Sequence, residues 1–151
     1  MANTQALCTS FKGELLTGTH NFGTGVVRAA TTADTFKAAL YLASATVNAS
    51  TTAYSSTGEV TGTNYTAGGA TVTNATAPAT NGTTAYWTPS ASISFSNVTL
   101  STVFDAVLIY NSSQSNKAVS VHTFGSQTVT AGTFTLTMPT NDSSTGLIRL
   151  A

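Results

Sequence analysis

Charge is the scarcest property of this sequence. Of 151 residues, five are basic and five are acidic, so charged residues make up 7% of the chain and the formal net charge is zero. An ordinary soluble domain carries about 25%. The basic residues are scattered, whereas binding to nucleic acid requires clustered basic groups that displace counterions from phosphates. We therefore expect no nucleic-acid partner, and a solubility that depends on Thr, Ser and Asn.

Cysteine and long apolar runs are almost absent as well. Cys8 is the only cysteine, which excludes an internal disulfide. The first ten residues show neither the basic nor the apolar region of a secretory signal. The longest apolar stretches, AALYLASA and AVLIY, are far shorter than the roughly 20 residues that span a bilayer. These absences predict folding in a reducing cytoplasm and no membrane partner.

The groups that carry enzyme chemistry are few and dispersed. No two of the five carboxylates form a suggestive pair, as glycoside hydrolysis would require; they are Glu14, Asp34, Glu59, Asp105 and Asp142. His122 and Asp105 could join one of many serines in a Ser-His-Asp arrangement, but no G-x-S-x-G elbow is present to expose the serine. We expect no enzyme, and we expect His122 to be an ordinary polar residue on or beside a sheet.

Metal and cofactor sites are equally poorly supported. One cysteine and two distant histidines cannot make a closed zinc site. The loop TNDSST, residues 140–145, offers oxygen ligands for calcium, but its single carboxylate makes that site weak. No glycine pattern that cradles phosphate precedes a helix. The sequence predicts no metal and no cofactor.

What the sequence does contain is the period-two pattern of β-strands. In TFTLTM, Phe134, Leu136 and Met138 alternate with threonines, which is typical of a strand with one buried and one hydrated face. FKAALYL, AVSVHTF and LIRL are further candidates, and VFDAVLIY is apolar enough on both faces to lie centrally. Turn signals separate the strands at 67–69, 81–82, 111–117 and 131–132. The pattern predicts an all-β fold, an antiparallel two-sheet sandwich of jelly-roll type.

The N-terminal region has a different period. Leu7, Phe11 and Leu15 are four residues apart, which predicts a short helix that must dock on its own sheet or on a neighbouring subunit. We therefore divide the chain into an arm with a short helix and a connection, residues 1–33, and a β-sandwich domain, residues 34–151. The arm is expected to lie outside the sandwich. The Thr-rich and Gly-rich middle, residues 46–84, is expected to form ordered loops with short strands.

Asp105 and the aromatic residues near loops raise questions that the residues alone leave open. Asp105 is the one charge in an apolar run; either it meets Arg149, Arg28 or Lys117 or faces solvent, or it contacts another subunit. Aromatic side chains near loops either anchor interfaces, stack on sugars, or cap the ends of the sandwich. The residues selected as a candidate interface are Leu7, Phe11, Leu15, Leu16, Phe22, Tyr65, Tyr86 and Trp87.

Several long segments of the chain resemble a family of small virion proteins of tailed bacteriophages that are linked to capsid decoration or cement proteins. The matching segments are SFKGELLTGTHNF, the stretch from DTFKAALYL to YTAGGATV, VLIYNSSQSNKAVSVHTFGSQTV, GTFTLTMP and LIRLA. The combination of TTAY, GEV and YTAGGA is fairly specific. The family often has an arginine or a small residue before the LIYN strand, where this chain has Asp105, so no role is carried over to that residue.

This resemblance implies a jelly-roll-like shell protein on the outer surface of a phage head, made in the host cytoplasm. Its partners would be the major capsid protein and further copies of itself, as a dimer or trimer. The alternative is a tail, fibre or baseplate component, or an adhesin that binds host glycans through Tyr65 and Trp87. Because the chain lacks the lysines that usually guard sheet edges, we also expect its edges to be covered by the arm or by a neighbouring copy.

Overall fold

The computed structural model of the protein describes residues 3–16, 19–20, 22, 33–73 and 76–151. Its elements are β1 (Ala6–Leu7), α1 (Thr9–Leu16), β2 (Phe36–Leu42), β3 (Ala70–Val72), β4 (Ala79–Asn81), β5 (Thr84–Trp87), β6 (Ile93–Asn111), β7 (Lys117–Leu136) and β8 (Ile148–Leu150). One sheet has the order β1-β7-β6-β2-β3 and the other β4-β5-β8, and all pairs are antiparallel. The predicted all-β, antiparallel two-sheet sandwich with a short N-terminal helix is confirmed. Within the described residues, no helix is long and apolar enough to cross a membrane.

Strands β6 and β7 form one long hairpin that organises the molecule. They contain 19 and 20 residues and pair from Asn111–Lys117 beside the turn to Ile93–Leu136 at the other end. The turn is the predicted Asn-rich and Ser-rich segment, in which Ser115 and Asn116 have positive φ. We call Phe104–Asn111 with Lys117–His122 the inner half of the hairpin, and Ile93–Val103 with Thr123–Leu136 the outer half.

The inner half is central, as the apolar run VFDAVLIY predicted. β6 pairs with β2 along Phe104–Asn111, while β1 covers the far edge of β7 at Ser120 and Val121. β2 is more buried than its alternating pattern suggested, because its neighbours and the loops leave neither face open. Burial of both faces explains why this part of the sheet consists mainly of Ala, Leu, Ile and Val.

The outer half curls. Register shifts interrupt the pairing at several points between Phe95 and Ala106, and such bulges bend and twist a ribbon. The bend brings Phe124 and Phe134, ten residues apart on β7, to a ring-centroid distance of 5.3 Å, and both rings contact Phe104. The turn predicted at Ala131-Gly132 is wrong: β7 runs through it, and the positive φ of Ala131 (45°) marks a bulge within the strand.

The N-terminal segment is part of the same core and does not lie outside the sandwich. Phe11 is fully buried, and its ring contacts Phe22, which stacks on Phe36 of β2 with centroids 4.6 Å apart. Backbone bonds fix the segment before the helix: Cys8 N–H donates to Val119 O at 3.1 Å. A helix as short as α1 is marginal alone, so this docking stabilises it. The irregular connection predicted over GTHNFGTGVVRAATTAD, residues 18–34, falls mostly outside the described residues.

The middle of the chain is ordered, as expected, by turns and isolated bridges such as Tyr41–Glu59 and Thr63–Thr99. Gly69 shows why glycine is needed there. Its φ is +71°, and a Cβ atom would lie 1.9 Å from Ala38 O, so a side chain would force β3 away from β2. The hairpin predicted at Asn81-Gly82 connects β4 and β5.

Candidate interaction site

Most of the residues predicted to form an interface line one apolar groove between α1 and the small sheet. The groove has a volume of about 150 Å³, and it is lined by Phe11, Leu15, Phe22, Pro78, Ala85, Tyr86, Trp87, Ile148 and Leu150. Five of the eight predicted residues are in this list, although they come from the arm and from β5. Sequence reasoning selected them separately, as helix-face and aromatic residues, and the fold brings them together.

The groove residues divide into a buried floor and an open rim. Phe11 and Trp87 are buried, and the Trp87 indole donates a hydrogen bond to Thr76 O at 2.9 Å. Leu15 and Tyr86 are half-buried, and Leu150 is 38% exposed. The surface open to a partner therefore comprises Leu15, Pro78, Ala85, Tyr86 and Leu150. Leu150, like Pro78 and Ala85, was not predicted from the sequence. Its position at the end of LIRL on an edge strand was the available signal.

Two of the other three predicted residues, Leu7 and Tyr65, lie elsewhere. Leu7 is half-buried in β1. Leu16 ends α1, and its side chain is outside the described residues. Tyr65 points into its own domain: its ring stacks on Phe95 with centroids 5.7 Å apart, and its hydroxyl donates to Glu59 Oε1 at 2.8 Å.

Glu59 is the centre of a buried polar cluster that the sequence did not reveal. Three donors reach its carboxylate: the Tyr54 hydroxyl at 2.6 Å, the Tyr65 hydroxyl at 2.8 Å and the Gly68 N–H at 2.8 Å. Tyr65 also accepts a bond from Leu40 N–H at 3.0 Å, which ties the cluster to β2. A buried carboxylate is costly unless it is hydrogen-bonded in this way. The signal in the sequence was a single charge among tyrosines.

The tyrosines around Glu59 are held in the neutral form. Burial raises the pKa of Tyr41 and of Tyr110 to about 12, and the negative charge of Glu59 acts in the same direction. Burial and the hydrogen bond to Glu59 also raise the pKa of Tyr54. The Tyr110 hydroxyl donates to Gly68 O at 2.8 Å, and its ring stacks on Tyr54. This cluster fixes the loop from Tyr54 to Gly69 against the large sheet.

Asp105 is paired with a residue that was not among its predicted partners within the chain. Its Oδ1 accepts a hydrogen bond of 2.6 Å from the Asn3 amide, which also donates to Leu42 O at 3.1 Å. The partner is thus an amide from the N-terminal segment and not Arg149 or Lys117; Arg28 lies outside the described residues. The link joins the arm to the inner half of the hairpin.

His122 lies on the sheet, as predicted, with its Nε2 2.9 Å from Ser120 Oγ. This Ser-His pair does not resemble a nucleophilic centre, because Ser120 is fully buried and a serine nucleophile must reach its substrate. Burial lowers the pKa of His122 to about 4, so the ring is neutral near pH 7. The pair is best described as a structural hydrogen bond.

In the loop with oxygen ligands for calcium, residues 140–145, the carboxylate of Asp142 accepts its hydrogen bonds from the loop itself. Asp142 accepts bonds from the backbone N–H groups of Ser144 and Thr145 and from the Thr145 hydroxyl, at 2.7 to 2.8 Å. These bonds lower the pKa of Asp142, and the bond from the Thr145 hydroxyl has the largest effect. The described residues contain no group of three or more His, Cys, Asp or Glu side chains that could hold a metal ion.

A second buried polar cluster lies beside the hairpin turn. The fully buried Asn111 amide donates to Asp34 Oδ2 at 2.8 Å and lies 3.1 Å from His20 Nδ1. Gln114 donates to the other oxygen of Asp34 at 3.2 Å. These bonds connect the start of β2, the N-terminal segment and the turn, so their role is to hold elements together.

The outer half of the hairpin presents an extended uncharged surface. Between Lys117 and Asp142 the sequence contains no Asp, Glu, Lys or Arg. The side chains exposed along this part of β7 belong to Ser126, Gln127, Thr128, Thr130, Ala131, Thr133 and Thr135. Within the described residues, no strand covers the far edge of β7 beyond Val121. This surface and edge together form a second candidate contact area.

No family model, no curated protein and no solved structure matches this chain.

Proposed function

We propose that this chain is a structural protein of a tailed-bacteriophage virion, a decoration or cement protein that binds the major capsid protein and stabilises the head. The observation that carries this proposal is the uncharged surface of the outer half of the hairpin. The resemblance of several long segments of the chain to small phage virion proteins gives that surface its proposed partner.

The chemistry of the surface suits permanent assembly. Burying threonine and glutamine side chains against matching hydrogen-bonding groups avoids the cost of desolvating charges. Contacts of this kind are also little affected by salt, which screens interactions between charges. A protein with zero net charge experiences no long-range repulsion from copies of itself.

The uncovered edge of β7 supports association between copies as well. An edge strand exposes unpaired N–H and C=O groups, and proteins usually protect it with lysine, proline or a covering segment. Here β1 covers Ser120 and Val121, and the edge beyond them carries no charged residue. We infer a homo-oligomer in which a neighbouring chain covers this edge.

The two residues proposed for the alternative adhesin function, Trp87 and Tyr65, both make contacts within the protein. Trp87 is 2% exposed and packs edge-on against Phe22, so its ring has no free face for a sugar. Tyr65 is engaged by Glu59. A tail or fibre location remains an alternative that only the position in the particle can decide.

The experiment is binding of the purified protein to phage heads that lack it, measured by co-sedimentation at low and at high salt. We expect stoichiometric binding that persists at high salt. The triple variant Thr128→Lys, Thr130→Lys, Thr133→Lys places charges on the outer half, where the parent residues are exposed, and should lose binding at least tenfold. A control with Thr57→Lys, Thr61→Lys, Thr80→Lys carries the same added charge at other exposed positions.

Loss of binding in both variants, or in neither, would contradict the proposed surface. Failure of the parent protein to bind heads would contradict the capsid role itself. Deletion of residues 1–22 is not a suitable test, because it removes Phe11 and Phe22 from the core.

A further inference from the structure

The curled hairpin borders a second, larger cavity, which is open to solvent on one side and whose lining suits a ligand. The cavity measures about 480 Å³ and lies where the two halves of the hairpin face each other. Val107, Ile109 and His122 of the inner half form one wall. Phe134 and Leu136 of the outer half, with Leu147 of the C-terminal segment, contribute to the rest. This volume is within the range of roughly 300 to 1,000 Å³ typical of small-ligand sites.

The lining favours an uncharged occupant. Its side chains are aliphatic, aromatic, threonine and glutamine, together with one histidine, and none of them is charged at neutral pH. A charged ligand would lose its hydration without gaining a counter-charge. An apolar body, in contrast, would gain contact with Phe134, Leu136 and Leu147.

His122 adds one specific hydrogen-bonding position. Its Nε2 is engaged by Ser120 Oγ, and among the described residues no group bonds its Nδ1. In a neutral imidazole one nitrogen donates and the other accepts. A hydroxyl group can match either arrangement, because it can both donate and accept. On the wall formed with Val107 and Ile109, the ring therefore marks one point where a hydroxyl would be recognised, beside the threonine and glutamine side chains of the rest of the lining.

We propose that this cavity binds an uncharged, apolar group that carries one hydroxyl, a phenol or an alcohol of similar size, with the hydroxyl at His122 Nδ1. The proposal does not depend on where the protein assembles. The phenol could be a free small molecule or the side chain of a tyrosine from a partner chain, since both present the same chemistry.

The test uses p-cresol, toluene and 4-methylbenzoate as probes of the full-length protein, with binding followed by NMR titration. We expect p-cresol to bind about tenfold more tightly than toluene, as one added hydrogen bond would give. The charged 4-methylbenzoate should bind more weakly than either. Equal affinities for p-cresol and toluene, or no binding of either, would overturn the proposal.

Two variants and one control locate the site. His122→Phe keeps a ring but removes the hydrogen-bonding nitrogen, so p-cresol and toluene should then bind with about equal affinity. Leu147→Trp fills the cavity and should abolish binding of both probes, which keeps the test informative if His122→Phe does not fold. Val103→Trp changes an exposed residue, 44% accessible, that does not line the cavity, and should bind as the parent does. Unchanged selectivity in His122→Phe would also reject the proposal.

The source of the ligand is distinguished by N-acetyltyrosinamide. Competition at concentrations similar to those of p-cresol would indicate a tyrosine of a partner chain. Exclusion of the blocked amino acid, with p-cresol still bound, would indicate a free small molecule.

Discussion

The inner half of the β6–β7 hairpin and the outer part of β7 are continuous in the chain and opposite in character; the outer part of β6 still contributes buried residues such as Val98 and Leu100. The inner half lies between β2 and β1, and residues such as Leu108, Val119 and Val121 are fully buried. The outer half has few strand neighbours, and its β7 residues alternate between exposed threonines and half-buried Phe134 and Leu136. The same two strands thus serve as a core and as a surface.

The difference shows that burial in this sheet is decided by what lies beside each segment rather than by the strand itself. Where neighbours cover both edges and faces, the sequence is apolar at consecutive positions. Where one face meets water, polar and apolar residues alternate along the strand. The structural stability of the protein should accordingly be concentrated in the inner half, and its capacity for binding in the outer half.

The largest expected contrast is between Leu108→Ala and Leu136→Ala. Leu108 is fully buried, and its truncation should lower the free energy of unfolding by about 3 kcal/mol, because a cavity remains in a packed core. Leu136 is half-buried and borders open space, so the same change should cost only about 1 kcal/mol. Urea denaturation of both variants measures the two values. Equal losses would mean that the halves do not differ in packing.

A second contrast concerns two carboxylates that each accept three hydrogen bonds. Glu59→Gln should lower the free energy of unfolding by about 2 kcal/mol, because the amide cannot accept from Tyr54, Tyr65 and Gly68 together. The partners of Glu59 are largely withdrawn from water, whereas Asp142 lies in an exposed turn. Asp142→Asn should therefore have a much smaller effect in the same urea assay. A larger loss for Asp142→Asn would reverse this interpretation.

Alkaline pH should weaken the region around the inner half. The pKa of Tyr41 and that of Tyr110 are raised in the folded state to about 12 from 10, so above pH 10 the unfolded chain holds fewer protons than the folded chain. Stability contributed by this difference is complete below pH 10 and decreases as pH rises through 12, by roughly 2 kcal/mol for each of the two tyrosines. Urea midpoints across this range, with Tyr110→Phe as comparison, measure the effect; an identical decline in that variant would argue against Tyr110.

Acid should act at His122, where the two halves meet. The folded state holds the pKa of His122 near 4, below its ordinary 6.5, so between these values the unfolded chain binds more protons. The stability that His122 contributes should be complete above about pH 6.5 and fall by about 3 kcal/mol as pH decreases through 4. His122→Phe should remove this part of the pH dependence. A decline of the same size in that variant would assign it to other groups.

The sequence predicted the fold class because its strongest signals are local. The alternation in TFTLTM, the apolar run around Leu108 and the hairpin at Asn81-Gly82 each depend on neighbours in the chain, and each is confirmed. The turn expected at Ala131-Gly132 failed because a bulge within a strand uses the same residues as a turn. The residues at this position are compatible with either a turn or a bulge, and only pairing with the neighbouring strand determines which one forms.

The polar clusters could not be predicted in the same way. Glu59 meets Tyr54 and Tyr65 only after the loop folds over β2, and Asp105 meets Asn3 from the far end of the chain. Such pairs are set by tertiary geometry, which the spacing of residues does not contain. The apolar groove was found in part because Phe11 and Leu15 fit a helical period and Tyr86 and Trp87 are aromatic residues near a loop, and both kinds of signal are local.

The pairing of Ala6 with Val121 has a consequence for the order in which the protein forms. Contacts between segments so distant in the chain close late, whereas the β6–β7 hairpin closes across a short turn. During synthesis on the ribosome, the first strand therefore has no partner until most of the chain has emerged. The hairpin serves as the template onto which β1 docks late.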